Sequence, residues 1–228
     1  LDLLQPDRAD LDILIEELNL HPLAIDDAIN EHQRAKLDRY DDHLFLASYV
    51  VRIDPETAEL GVSEVAAFIT DRALVTVRKS DHLEVEPLLA RWDSTKDHAG
   101  SGVAYLVHGL LDLLVDGHFD AVQELDEQID SLEEVLFDPN PRSVELQRRS
   151  FEMRKSLVLL RRVVLPMREV VNTLLRGNVG VVDDAMRPYF QDVYDHVLRA
   201  TEWTESLRDL GYQVLSASEA DAASWRPT

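Results

Sequence analysis

The 228 residues are 45% hydrophobic and 29% charged, which is enough apolar material for one large domain or two smaller ones and too much for a disordered chain. Acidic residues outnumber basic ones 44 to 23, a formal net charge of -21; this excludes nucleic acid and anionic membrane surfaces as natural partners and favours cations. The absence of cysteine excludes disulfides, a thiolate nucleophile and thiolate zinc or iron–sulfur sites, and suits a reducing cytosol.

Along the chain, Leu1 to Leu4 meets charges at once, unlike a secretory signal. Asp10 to Leu20 carries Leu11, Leu14, Ile15 and Leu18 at helical spacing. His21-Pro22 opens a second short helix, to about Ile29, with proline in its first turn. Two β-rich stretches follow, Leu44 to Ile53 and Glu64 to Thr70, joined through Asp54-Pro55-Glu56 and Gly61. Ala73 to Val77 is a third strand, and Leu83 to Trp92 an amphipathic helix. Residues 1–100 therefore predict an α+β domain with a small mixed sheet.

After Gly100-Ser101-Gly102 the pattern turns helical. Val103 to Leu136 steps by three and four at Val122, Leu125, Ile129, Leu132 and Leu136, until Asp138-Pro139-Asn140-Pro141 stops it. Arg142 to Leu175 repeats the step through Leu157, Leu160, Val164, Met167, Val171 and Leu174, with a kink expected at Pro166. After a turn at Arg176 to Gly180, Pro188 to about Leu210 aligns Phe190, Val193, Val197, Ala200, Thr204 and Leu207 on one seam. Three such helices over residues 101–215 predict coiled-coil-like packing, within a subunit or between subunits. Residues 216–228 are set apart as a small, acidic, flexible tail. Ser156 to Val171, the best candidate for a membrane span, is broken by Arg161, Arg162, Pro166, Arg168 and Glu169.

Signals of catalysis are missing. Gly177 and Gly180 are not followed by Gly-Lys-Ser/Thr, and neither Gly-x-Ser-x-Gly nor His-Glu-x-x-His occurs. The adjacent pairs Asp42-His43, Asp81-His82, Asp97-His98 and Asp195-His196 do not make shared ligand sets, since neighbours on a helix point about 100° apart. The chain is read as a non-enzyme. Carboxylates carry more information. Asp112 and Asp116 lie four apart, on one helical face, where they repel unless a hard cation joins them. On spacing alone, a solvated acidic stripe continued by Asp120 is the plainer reading. Asp26 with Asp27, and Asp192 with Asp195, are equally open. Asp192 adjoins Phe190 and Val193 at the seam edge, which predicts partial desolvation near a helix–helix contact. His196 is a possible ligand, though a lone helical histidine is more often a polar surface residue.

Three groups of segments, in order from Leu1 to about Leu210, carry a resemblance. They are His21 to Asn30 with His32 to Lys36 and Tyr40 to Phe45; Leu110 to Asp116 with Leu125 to Asp130 and Leu165 to Glu169; and Pro188 to His196. Together they resemble the cytosolic domain of CorA-type magnesium channels. The resemblance implies a homopentameric funnel. An α/β/α domain stands at its mouth, a long helix from each subunit runs toward the membrane, and Mg2+ or Co2+ binds between neighbouring subunits. By motif position, Asp27 of one subunit faces Asp192 of the next, while Asp26 and Asp112, with Asp116 as a further candidate, resemble the carboxylates of a second nearby site. The family's two membrane helices and Gly-Met-Asn signature are absent from these residues, so the resemblance implies a soluble fragment of a protein at the cytoplasmic face of the membrane. Leu1 to Pro6 is then expected as a strand from the middle of the family's sheet.

Two other readings stay open. One is the zinc-transporting branch of the same superfamily, against which the all-aspartate matched positions argue, because Zn2+ prefers His and Cys. The other is a metal-free acidic helical scaffold.

Overall fold

The computed structural model describes residues 1–30, 34–94, 100–136, 143–176 and 179–224. The expected stop at Asp138 to Pro141, the Asp97-His98 pair, and the turn residues Gly177 and Asn178 lie outside the described residues. The elements are β1 (Asp2–Leu4), α1 (Arg8–Leu18), α2 (Pro22–Ile29), β2 (Lys36–Arg39), β3 (Leu44–Ile53), β4 (Leu60–Ile69), β5 (Leu74–Arg78), α3 (Glu86–Ser94), α4 (Val103–Leu136), α5 (Ser143–Leu175) and α6 (Arg187–Ser224).

Local chemistry sets the boundaries. Asp7 and Asp10 form a reciprocal capping box that starts α1, and Asn19 ends it in the left-handed region at φ 53°. α2 starts at Pro22, with His21 as N-cap accepting from the Leu23 amide. In the β3–β4 turn, Asp54 Oδ1 accepts from the amides of Glu56 (2.8 Å) and Thr57 (3.1 Å).

The sheet order is β1-β5-β4-β3-β2, with β1 parallel to β5 and the other pairs antiparallel. It is mixed, as expected. The period-2 alternation of the strands divides the core. Phe45, Ala47, Ala66, Phe68, Val75 and Val77 pack against α1 and α2. Leu44, Leu46, Val65, Ala67, Ile69 and Leu74 pack against α3 and the long helices. An α/β/α sandwich results, and the larger core runs from the sheet into the helical region across residue 100. The three long helices pack on their predicted seams: from Val122 to Leu132, from Leu157 to Leu174 and from Phe190 to Leu207 every seam residue is buried.

Two elements, β2 and α6, differ from expectation. β2 was not read from the sequence, because Lys36-Leu37-Asp38-Arg39 offers one apolar residue and sits at a sheet edge, where charge discourages unwanted pairing. β1 lies at the opposite edge of the five strands, paired in parallel with β5. α6 runs on to Ser224, through much of the segment set apart as a tail. Its residues beyond Gly211 include Gln213, Leu215, Glu219 and several alanines, all strong helix formers, so loss of the seam does not end the helix.

The edge strand β1 is held by one ion pair. Arg78 donates Nε to Asp2 Oδ1 (2.9 Å) and Nη2 to Asp2 Oδ2 (2.6 Å), and the Thr76 hydroxyl also donates to Oδ1 (2.7 Å). Burial alone would raise the Asp2 pKa, but the hydrogen bonds from Arg78 and Thr76 outweigh it and leave the pKa lowered. A carboxylate with a lowered folded pKa contributes stability above its unfolded pKa and loses that contribution as pH falls through the folded one. Arg78→Ala is therefore expected to cost about 2 kcal/mol at neutral pH, read as a lower urea midpoint. The difference from wild type should shrink below roughly pH 4; a difference that persists unchanged at pH 2 would remove the ion pair as its source.

Candidate metal centre

α4 and α6 lie side by side, and their seams set which polar residues meet. Val107, Leu110, Leu111 and Leu114 of α4 are buried together with Phe190, Val193 and Val197 of α6. On α4, Asp112 is drawn into this contact with only 8% of its surface exposed, while Asp116, one turn on, is exposed. His196 comes from α6, half-buried. One ligand atom from each of Asp112, Asp116 and His196 lies within 4.8 Å of the others. Asp192, a turn before His196, places Oδ2 at 4.0 Å from His196 Nε2.

This corrects three expectations. Asp112 is not part of a solvated stripe, although Asp116 and Asp120 are exposed. Asp192 is not partly desolvated: its side chain is 70% exposed. At about 100° per residue it points roughly 130° away from the mean direction of Phe190, Val193 and Val197, so adjacency in sequence puts it outside the contact. His196 is not a bare surface residue; at the flank of the seam it leans toward α4. Asp195 points to the opposite side of α6, exposed, and accepts from Gln191 Nε2 at 3.0 Å.

Asp26 and Asp27 lie on α2, across the sheet from α4 and α6. Each already has a cation. Arg8 Nη1 donates to Asp26 and also holds Asp12 through Nε (2.8 Å), while Lys36 Nζ sits 2.7 Å from Asp27 and 2.6 Å from Asp38. Lys36 comes from the strand that the sequence did not reveal, so this pairing was not legible beforehand. Within one chain, Asp26 and Asp27 do not share a site with Asp112, Asp116 or Asp192.

The donor set suits a divalent cation. Donors on an octahedral Mg2+ stand about 2.9 Å apart when adjacent and about 4.2 Å when opposite, so the side chains must draw closer, or waters bridge, to bring all three to one ion. The two aspartates are hard ligands for Mg2+ and Ca2+, whereas the imidazole suits Co2+ or Zn2+ better.

Another histidine, not singled out by the sequence, is structural. His118 of α4 is 1% exposed and donates Nε2–H to the Tyr49 carbonyl at 2.8 Å. β2 begins at Lys36, opposite Ala47, and the imidazole takes up a β3 carbonyl beyond that pairing.

Among the described residues no helix is long and apolar enough to cross a membrane. A cobalt/magnesium transport protein, CorA, of Thermotoga maritima is 30% identical over 197 residues, covering 86% of this chain and 55% of that protein. A zinc transport protein, ZntB, of Yersinia pseudotuberculosis is 23% identical over 206 residues, covering 89% of this chain and 60% of that protein. The chain thus spans little more than half the length of these relatives. The fold matches the soluble domain of CorA from Methanocaldococcus jannaschii with a TM-score of 0.82 at 15% identity, covering 96% of this chain and 86% of that one. The family described as CorA-like Mg2+ transporter protein matches residues 1–218, nearly the whole chain. The chain belongs to that family.

Proposed function

We propose that this chain is the cytosolic, metal-sensing part of a homopentameric divalent-cation channel, and that Mg2+ or Co2+ held by its aspartates favours the closed state. The observation that carries the reading is the convergence of Asp112, Asp116 and His196 donors within 4.8 Å across two helices. A divalent ion at that position neutralises the two carboxylates that α4 places one turn apart and ties them to the imidazole of α6. Mg2+ keeps several of its waters and needs only one or two carboxylates, which this set supplies.

A second position is intersubunit. Asp192 faces solvent and Asp27 lies across the sheet, so a site that joins them draws on two copies, Asp27 from one and Asp192 from its neighbour. Asp26 and Asp195 flank it. Lys36 and Arg8 act as built-in competitors there, holding Asp27 and Asp26 when no ion does, which lowers apparent affinity and suits a sensor. Each protomer carries a formal charge of -21. Acidic faces without cations push protomers apart and shift the ring toward an asymmetric, open population. In this reading the pore belongs to a membrane part outside these residues, at whose cytoplasmic side the chain sits.

The test is thermal unfolding and sedimentation of the chain in EDTA and in millimolar Mg2+. A ligand at about 100 times its dissociation constant stabilises the native state by about 2.7 kcal/mol. Wild type is expected to gain melting temperature and mass with Mg2+. The Asp112→Asn, Asp116→Asn double variant should lose most of the thermal gain, and Asp192→Ala most of the gain in mass. Indifference of the wild type to every divalent ion would leave the metal-free scaffold standing.

His196 favours one alternative, a zinc site like that of a zinc-transporting relative, since imidazole is a better ligand for Zn2+ than for Mg2+. His196→Asn distinguishes the two: stabilisation by Zn2+ is lost if the imidazole binds it, while stabilisation by Mg2+ survives.

A further inference from the structure

A groove of about 720 Å3 opens between the β3–β4 sheet face and the part of α5 that leads into Pro166. Its charge is opposite to that of the chain. Arg34, Lys79, Arg161 and Arg162 line it, with Glu64 as the one carboxylate, in a protein where acids outnumber bases 44 to 23. Glu64 is already engaged: it is 5% exposed and takes a hydrogen bond from Tyr49. Burial first, and the neighbouring Glu64 charge second, push the Tyr49 phenol up to about 12, so the phenol stays protonated as donor. Among the described residues neither Arg34 nor Arg162 has a carboxylate partner, and both side chains are exposed to the groove. Arg161 reaches Glu205 with Nη2 at 3.4 Å, while its buried Nε–H has no hydrogen-bond acceptor. Val62, Leu159 and Val163 form an apolar wall beside these cations.

We propose that this groove binds a phosphate-bearing organic anion of mononucleotide size, independently of the metal reading above. Three guanidinium groups offer planar, paired N–H donors that match phosphate oxygens better than ammonium does. The volume falls within the range of roughly 300–1,000 Å3 of small-molecule sites, more than inorganic phosphate alone fills, and the apolar wall accommodates a base or comparable body. A long polynucleotide is disfavoured, because the rest of the chain repels it.

The test is calorimetric titration of the chain with ADP and, separately, with inorganic phosphate, in EDTA without divalent cations and at fixed ionic strength. Saturable ADP binding, tighter than phosphate binding, is expected. Arg34→Ala and Arg162→Ala remove exposed side chains, so the fold should persist, as far-UV circular dichroism will check. Each should weaken ADP roughly tenfold, the loss of one charge-assisted contact. Arg199→Ala, on α6 and outside the groove, should leave affinity unchanged. Absence of saturable ADP binding overturns the proposal, as do equal affinities for ADP and phosphate or undiminished binding by both groove variants.

Discussion

Replacing Phe190 by alanine is expected to cost about 3–5 kcal/mol of folding stability, the range for deleting a fully buried aromatic. Phe190 is 0% exposed. It packs edge-to-face on His108, ring centroids 5.8 Å apart at 69°, and belongs to the core that joins the sheet to all three long helices. Because that core spans both regions, the loss should appear as a single lower urea midpoint with unchanged slope. Phe190→Leu, which keeps most of the volume, should cost far less. The cavity would also loosen the foot of α6, which sets Asp192 and His196 relative to α4. Stabilisation by Mg2+ is therefore expected to fall in Phe190→Ala although no ligand has changed. A variant as stable as wild type would show that α6 is not anchored at this residue.

The second large effect is a pH dependence. Burial pushes the His118 pKa down to about 4, and the hydrogen bond to the Tyr49 carbonyl, acting the other way, recovers only part of the shift. In the unfolded chain the group titrates near 6.5. Above that pH the imidazole is neutral in both states and the stability is complete. Between about 6.5 and 4 only the unfolded chain takes the proton, so stability declines by roughly 3 kcal/mol across that window. His43, whose pKa burial also lowers, adds a share of the same sign, so the informative quantity is a difference between proteins. His118→Gln retains an N–H for the Tyr49 carbonyl but cannot titrate. Measured in EDTA, its stability should vary less between pH 6.5 and 4.5 than that of wild type; parallel profiles would show that His118 is not the source.

The long helices were the most legible part of the chain. Val103 to Leu136 was bounded correctly, and the three hydrophobic seams are the buried ones, since a step of three and four residues leaves few ways to bury a helix. Proline at the first turn marked α2, and a β-rich stretch marked β3. Periodicity failed where burial is not the organising force, at the charged edge strand β2, and it did not foresee that α6 continues past its predicted seam to Ser224. Among the candidate ligands, spacing correctly placed Asp112 and Asp116 on one face, yet it misjudged how wet each was. Asp192 looked half-buried because its neighbours are, and His196 looked idle because a single helix does not reveal which helix packs beside it.

Composition and periodicity by themselves determined an acidic, cysteine-free α+β chain with three long packed helices, because charge balance and apolar spacing are local properties of the string. Only the tertiary structure decided that an imidazole from α6 joins two carboxylates of α4, that Asp26 and Asp27 stand across the sheet with Arg8 and Lys36 as their counterions, and that four scattered cations gather around one groove. These are contacts between residues far apart in the chain, and their free energies depend on distance and desolvation, which come into being only when the elements pack.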